Sequence, residues 1–228
     1  MQLNDLHLAA LRGMAFQPNG PGGVMPSTWA DAALDRWNGF DPPLPPRRFD
    51  RRELRAYCLD PDTPVFHAFV AIMAWGGQEA RSRKFREAIE ARQDVLETAL
   101  YRLREGQARA KAYDSWSGLI WGLGPSFLTK VIAFMSPTED VAIMDQWAVK
   151  ALHLLYGTRI VHLSPPKGED RRASPTNKND GGRYDAYCAH LEHLRDALGL
   201  RSVLDTEERI FCRPGGMWRK YVRLNWHP

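Results

Sequence analysis

Apolar residues return at three- and four-residue intervals in several segments of the chain, while strict apolar-polar alternation is scarce. That periodicity predicts an all-α, or mainly α, fold. A short helix is expected near Leu3 to Arg12, followed by a Gly- and Pro-rich stretch and then by DPPLPPRRFD at 41–50. Proline lacks a backbone donor and clashes with the preceding turn, so this stretch reads as an extended connection wrapped over the surface. Thr63 followed by Pro64 marks a helix start, and VFHAFVAIMAW runs from it to a break at Gly76-Gly77. Being apolar nearly all round, that helix is expected at the centre.

Gln78 to about Gln93 reads as a basic amphipathic helix, and Asp94 with Glu97 as a capping-box-like start for VLETALYRLRE, closed by Gly106. Asp114 is placed to cap a short helix ending at Trp121, and a further helix begins at Pro125. The polar stretch 164–182 is assigned to an exposed loop; after it, RYDAYCAHLEHLRDALG is a long helix, DTEERIF a shorter one, and the remainder an aromatic and basic tail. The expected organisation is therefore an N-terminal helix and wrapping segment (1–62), a helical core (63–163), a loop (164–182) and C-terminal helices with a tail (183–228).

With 228 residues, 44% hydrophobic and 25% charged, the chain can bury one substantial core or two lobes facing a cleft, and has the balance of a soluble protein. The formal charge of +4 permits a polyanionic partner without demanding one, because phosphate binding depends on how cations cluster on a face. Cys58, Cys188 and Cys212 are odd in number and widely spaced, giving neither a disulfide framework nor a metal cluster. No cofactor or metal is expected; His190 and His193 form a pair without a third ligand at convincing spacing. No leader pattern or long apolar run is visible, so the sequence points to the cytoplasm, no membrane association and a monomer.

The chemistry concentrates in 114–150, DSWSGLIWGLGPSFLTKVIAFMSPTEDVAIMDQWAVK. Gly122-Leu123-Gly124 lets the backbone turn sharply and approach another surface, and the helix start behind it favours an anion such as a DNA phosphate. Read alone, a Gly-x-Gly is equally a tight turn between packed helices.

Here the sequence resembles the helix-hairpin-helix DNA glycosylase superfamily: helix, Gly-hydrophobic-Gly hairpin, second helix, then an Asp, which in this chain is Asp145. GPSFLTK at 124–130 is similar to bacterial proteins described as 8-oxoguanine DNA glycosylase-like. The resemblance implies two helical lobes around a cleft, double-stranded DNA containing a modified base as partner, and base excision that leaves an abasic site. Residues 1–60 carry none of the likeness. In members that also cut the strand, a catalytic lysine stands where this chain has Ser126; a serine there resembles the adenine-removing branch, which needs no covalent lysine.

Lys130 lies four residues past Ser126 on the same helix face, roughly 6 Å along the axis, so its amine can serve the same pocket. The other reading of Lys130 is a surface lysine contacting phosphate. Asp145 is a candidate to face the charge that develops on the sugar, and equally a helix N-cap; the two roles coexist. Gly122, Gly124 and Ser126 are candidate DNA contacts, and Gln78 a candidate wedge filling the hole left by an everted base, or else an ordinary helix-start residue. Phe134 and Trp218 are candidate stacking faces, with core packing as the alternative. The 8-oxoguanine-like purine is the expected base; modified, phage-type pyrimidines in a defence role, and a DNA-binding protein that breaks no bond, are the alternatives.

Overall fold

A computed structural model describes residues 1–16, 18–34, 40–77, 82–168, 172–211 and 215–227. Among them are twelve helices and no strand: α1 (Asp5–Gly13), α2 (Pro26–Ala33), α3 (Arg51–Leu59), α4 (Val65–Gly76), α5 (Arg83–Glu90), α6 (Gln93–Arg104), α7 (Arg109–Trp116), α8 (Pro125–Met135), α9 (Gln146–Tyr156), α10 (Gly181–Leu198), α11 (Val203–Phe211) and α12 (Met217–Asn225). The all-helical architecture follows the periodicity of the sequence.

Two helices form the axis of the molecule. Every residue of α4 from Val65 to Ala74 is buried, as its apolar circumference requires, and Gly77 ends it with φ +70°, a left-handed value open chiefly to glycine. Helix α8 is buried from Leu128 to Met135 and packs on α4, where Phe134 meets the edge of Trp75 at a ring separation of 4.9 Å. Across both lies α3, started by a full capping box: Asp50 accepts from Glu53 N at 2.8 Å, and Glu53 accepts from Asp50 N at 2.9 Å. From α3, Arg55 donates to Ala133 O (2.7 Å) and Thr138 O (2.9 Å), satisfying carbonyls at the end of α8.

A second group gathers around α9, with α1, α11 and α12 packed on it and α10 on α7 and α11. Helix α1 joins this group: Asn4 N donates to Leu155 O (2.7 Å), and Arg209 of α11 donates to Leu11 O (2.5 Å). At the α7–α10 crossing, a Cβ on Gly181 would stand 2.3 Å from Ala110 O, so only glycine allows this approach.

Several expectations need correction. The first 62 residues are not one helix and a wrapping strap, since they hold α2 and α3 and are shared between both groups. Of the expected basic helix from Gln78 to Gln93, the described residues form α5, which is capped at Ser82 and ends at Glu90. Helix α6 starts at Gln93, with Arg92 at its N-cap, and the side-chain pair formed is Gln93 to Glu97 (2.8 Å) rather than a box on Asp94. Asp114 lies inside α7, where it accepts from Gly181 N at 2.6 Å, a long-range partner no local pattern shows. The 164–182 loop is pinned rather than wholly exposed: buried Asn179 accepts from His162 N (2.8 Å) and donates to His162 O (2.9 Å). The C-terminal tail contains α12.

His153 is a buried polar residue of α9. Its Nε2 accepts from Ile160 N and Val161 N, each at 3.1 Å, and burial lowers its pKa to about 4. The fold thus holds the neutral ring; its contribution is full above the unfolded value of about 6.5 and is lost as pH falls through about 4, a span worth about 3 kcal/mol. Denaturant titrations of the wild type and His153→Gln are expected to show the wild type losing that much relative to the variant between neutral pH and about pH 4. Burial raises the Glu207 carboxyl to about 7 with the opposite sign of pH dependence, but this is common to both proteins and cancels in the difference.

Candidate active site

The hairpin, the amine and the carboxylate are united by α8. Gly122 has φ +83°, so the turn requires glycine there. Gly124 differs: φ is −70°, and a Cβ added to it would meet nothing within 4 Å. Neither dihedral nor neighbour demands glycine at 124, which leaves the hairpin surface open to close approach from outside. The hairpin borders a cavity of about 530 Å³ that also touches Arg92, Trp121 and Asn177; Trp121 is exposed, with Lys84 Nζ 5.6 Å from its ring centre.

From the hairpin, Pro125 opens α8 at N1, where its missing N–H costs nothing. One face of the helix then runs inward: Ser126 is half-buried, Lys130 is 9% exposed and Phe134 is 1% exposed. Lys130 is therefore not a surface lysine. Its Nζ donates to Ser126 O (3.3 Å) and sits 4.4 Å from the Phe127 ring centre. Burial lowers its pKa; the carboxylates of Asp145 and Glu207 oppose that shift, and Arg51 adds to it.

The Asp145 carboxylate acts on this amine through its charge, and its position is set by clamps on the segment before it. Residues Val141 to Met144 are buried. Ser126 Oγ donates to Met144 O (3.1 Å), Met144 N donates to Thr129 Oγ1 (2.9 Å), and from α10 Tyr187 Oη donates to Ile143 O (2.9 Å). Asp145 then caps α9, its Oδ1 accepting from Trp147 N at 2.8 Å. Ser126, expected as a DNA contact, donates its hydroxyl proton to the segment that leads to Asp145.

Three features escape a reading of the sequence. Arg51 of α3 and Glu207 of α11 form an ion pair with both side chains buried, and Glu207 Oε1 has no hydrogen-bond partner among the described residues. The charges acting on Lys130 thus come from three segments far apart in sequence. Lys150 is a second buried lysine, 1% exposed, with Nζ 4.4 Å from the Trp147 ring centre and 5.0 Å from that of Trp226. Gly76 of α4 faces the Lys130 stem: a Cβ there would stand 2.9 Å from Phe127 Cε1 and 3.0 Å from Lys130 Cδ. Gly76→Ala is accordingly expected to displace the Lys130 stem, lowering base release about 10-fold while thermal unfolding shows a stability change within about 1 kcal/mol.

Other candidates fall elsewhere. Phe134 is 1% exposed and makes a T-shaped contact with Trp75, and Trp218 is 4% exposed and stacked on Tyr221 at 5.4 Å, so both pack in the core here. Gln78 lies outside the described residues. Among the described residues no cluster of three or more His, Cys, Asp or Glu could hold a metal, and no helix is long and apolar enough to cross a membrane.

The protein is thus helical, with a glycine hairpin leading into a helix that carries a buried lysine, and an aspartate that caps the next helix. The chain belongs to the putative 8-oxoguanine DNA glycosylase OGG-like protein family, whose family model matches residues 19–211. The match extends well beyond 114–150, and leaves α1 and α12 outside it. No curated protein and no solved structure gave a match.

Proposed function

We propose that the protein everts a damaged or modified nucleoside from double-stranded DNA and cleaves its N-glycosidic bond, leaving an abasic site, with an 8-oxoguanine-like purine as the favoured base. The observation that carries this reading is the burial of the Lys130 ammonium midway along the helix that the hairpin begins, where the charge of the Asp145 carboxylate acts on it. Placing an ammonium in such a site is unfavourable unless it has a use, and its lowered pKa makes the neutral amine accessible.

In this reading the hairpin amides and the open Gly124 surface take the backbone phosphate. The Lys130 amine attacks C1′ as the bond from C1′ to the base nitrogen breaks; the electron pair of that bond leaves with the base, which takes up a proton. The bound nitrogen gives up its two protons as the C1′–O4′ bond breaks; the electron pair of that bond goes to O4′, which takes one proton while the other balances the one taken by the base, and the resulting Schiff base is hydrolysed by water to the abasic aldehyde and the free Lys130 amine. Asp145 stabilises the positive charge that builds on the sugar during departure of the base. Its carboxylate is fixed by the α9 amide, so it needs little reorganisation.

The test is incubation of the protein with labelled duplexes bearing 8-oxoguanine, a bulky modified pyrimidine or no lesion, followed by alkali. Strand breaks confined to the 8-oxoguanine duplex are expected. Breaks only at the pyrimidine would move the substrate to that class, and tight binding without breaks in any duplex would make the protein a binder that cuts no bond.

A further inference from the structure

The cavity that the hairpin borders carries an exposed aromatic side chain, Trp121, on a turn that the fold anchors at several points. Gly118 (φ +74°) and Gly122 (φ +83°) bracket the residues from Leu119 to Trp121. Ile120 and Leu123, both buried, peg this turn to the core, and Leu123 N closes it by donating to Ile120 O (3.2 Å). Arg92, at the start of α6, donates to Leu119 O (2.9 Å). Buried Phe85 of α5 lies against the turn, since a Cβ on Gly122 would stand 3.4 Å from its Cδ2. Its neighbour Lys84 is exposed and brings its Nζ to 5.6 Å from the Trp121 ring centre. Amid these anchors Trp121 itself is 55% exposed.

Single apolar side chains on a surface are ordinary, and it is the surroundings that distinguish this one. Trp121 shares the cavity wall with Gly122 and Gly124 of the hairpin and with Arg92, Ser117 and Asn177; among the described residues that line the cavity none is acidic. Backbone amides, an indole and an ammonium thus stand side by side on one fixed turn. A DNA strand presents the matching alternation, anionic phosphate and apolar sugar. In a duplex the bases are stacked inside, so the apolar surface open to a side chain between phosphates is the deoxyribose. We propose that Trp121 packs on the deoxyribose next to the phosphate taken by the hairpin, and that Lys84 meets the flanking phosphate. An indole covers a large area while losing only two side-chain torsions, and such a contact releases no counterion. The inference rests on the reading of the protein as DNA-acting, and extends it from the charged grip on the strand to an apolar one.

The experiment measures the affinity of the full-length protein for an undamaged duplex across salt concentrations. It compares the wild type with Trp121→Ala, Trp121→Phe, Lys84→Ala and a control, Tyr101→Ala, which removes an exposed aromatic of α6 outside the cavity walls. Because Trp121 is exposed, its truncation opens no hole in the core. Trp121→Ala is expected to bind about 10-fold more weakly at every salt concentration with an unchanged log-log slope, and Trp121→Phe within about 3-fold of the wild type. Lys84→Ala is expected to reduce the magnitude of the slope by about 1, and the control to match the wild type. DNA is also expected to change the tryptophan emission of the wild type, and Trp121→Phe to remove most of that change. An unchanged affinity in Trp121→Ala, or an equal loss in the control, would overturn the proposal. A loss much larger on the single strand than on the duplex would move the indole from the sugar to an unstacked base and overturn the sugar assignment. A dimer in sedimentation that Trp121→Ala abolishes, with DNA affinity intact, would make the turn a contact between copies of the chain instead. Should the wild type release no base from an 8-oxoguanine duplex yet show the Trp121 dependence of binding, the strand contact stands and the excision reading fails.

Discussion

Lys130→Met is expected to lower base release from an 8-oxoguanine duplex by about 1,000-fold or more, equivalent to about 4 kcal/mol of barrier, while affinity for the duplex stays within a few-fold. Methionine keeps most of the volume of the lysine stem, so the wall made by Phe127 and Gly76 is preserved and only the amine is removed. Folding stability should hardly change or rise, because a buried ammonium is lost along with its desolvation cost. Single-turnover kinetics together with a binding isotherm separate this outcome from that of a phosphate-contacting lysine, whose loss weakens binding in a salt-dependent way and leaves the chemical step intact.

The second large effect is expected for Asp145→Asn, a fall of about 100- to 1,000-fold in base release with stability within about 0.5 kcal/mol of the wild type. Asparagine caps helices as well as aspartate does, so the bond accepted from Trp147 N survives, whereas Asp145→Ala additionally loses about 1 kcal/mol of cap. The sign of the kinetic effect is informative. The Asp145 carboxylate raises the pKa of Lys130, so its removal makes the neutral amine more abundant. If the carboxylate served only to tune that amine, the variant would be as fast as the wild type or faster at neutral pH. A large loss places its role at the cationic sugar, and pH profiles of kcat for the two proteins read the difference.

Much of the frame of the site was legible because its signals are local. Pro125 at N1 opens α8, the i, i+4 spacing puts Ser126 and Lys130 on one face, and Asp145 ahead of QWAVKALHLLY is a cap. Asp50 and Glu53 formed an equally local capping box, and α3 behind it went unread because the prolines at 42–46 drew the segment toward an extended strap. What stayed hidden depends on tertiary contact. Nothing around Arg51 or Glu207 announces that they meet across 156 residues, nor that Gly76 is small for the sake of Lys130 rather than to break a helix. Lys150 looks like any lysine on an amphipathic helix until Trp226 closes over it from the far end of the chain. Phe134 shows the converse: the face that carries Ser126 and Lys130 continues one more turn into the core, where Phe134 is buried.

The central claim is that the Lys130 amine meets C1′ of an everted nucleoside. Borohydride reduction during turnover of an 8-oxoguanine duplex, followed by peptide mapping, tests it most directly. The account predicts a covalent protein-DNA complex with the sugar attached at Lys130 and none in Lys130→Met. Attachment at Lys150 or another lysine, or base release that proceeds with no trapped complex, would contradict it.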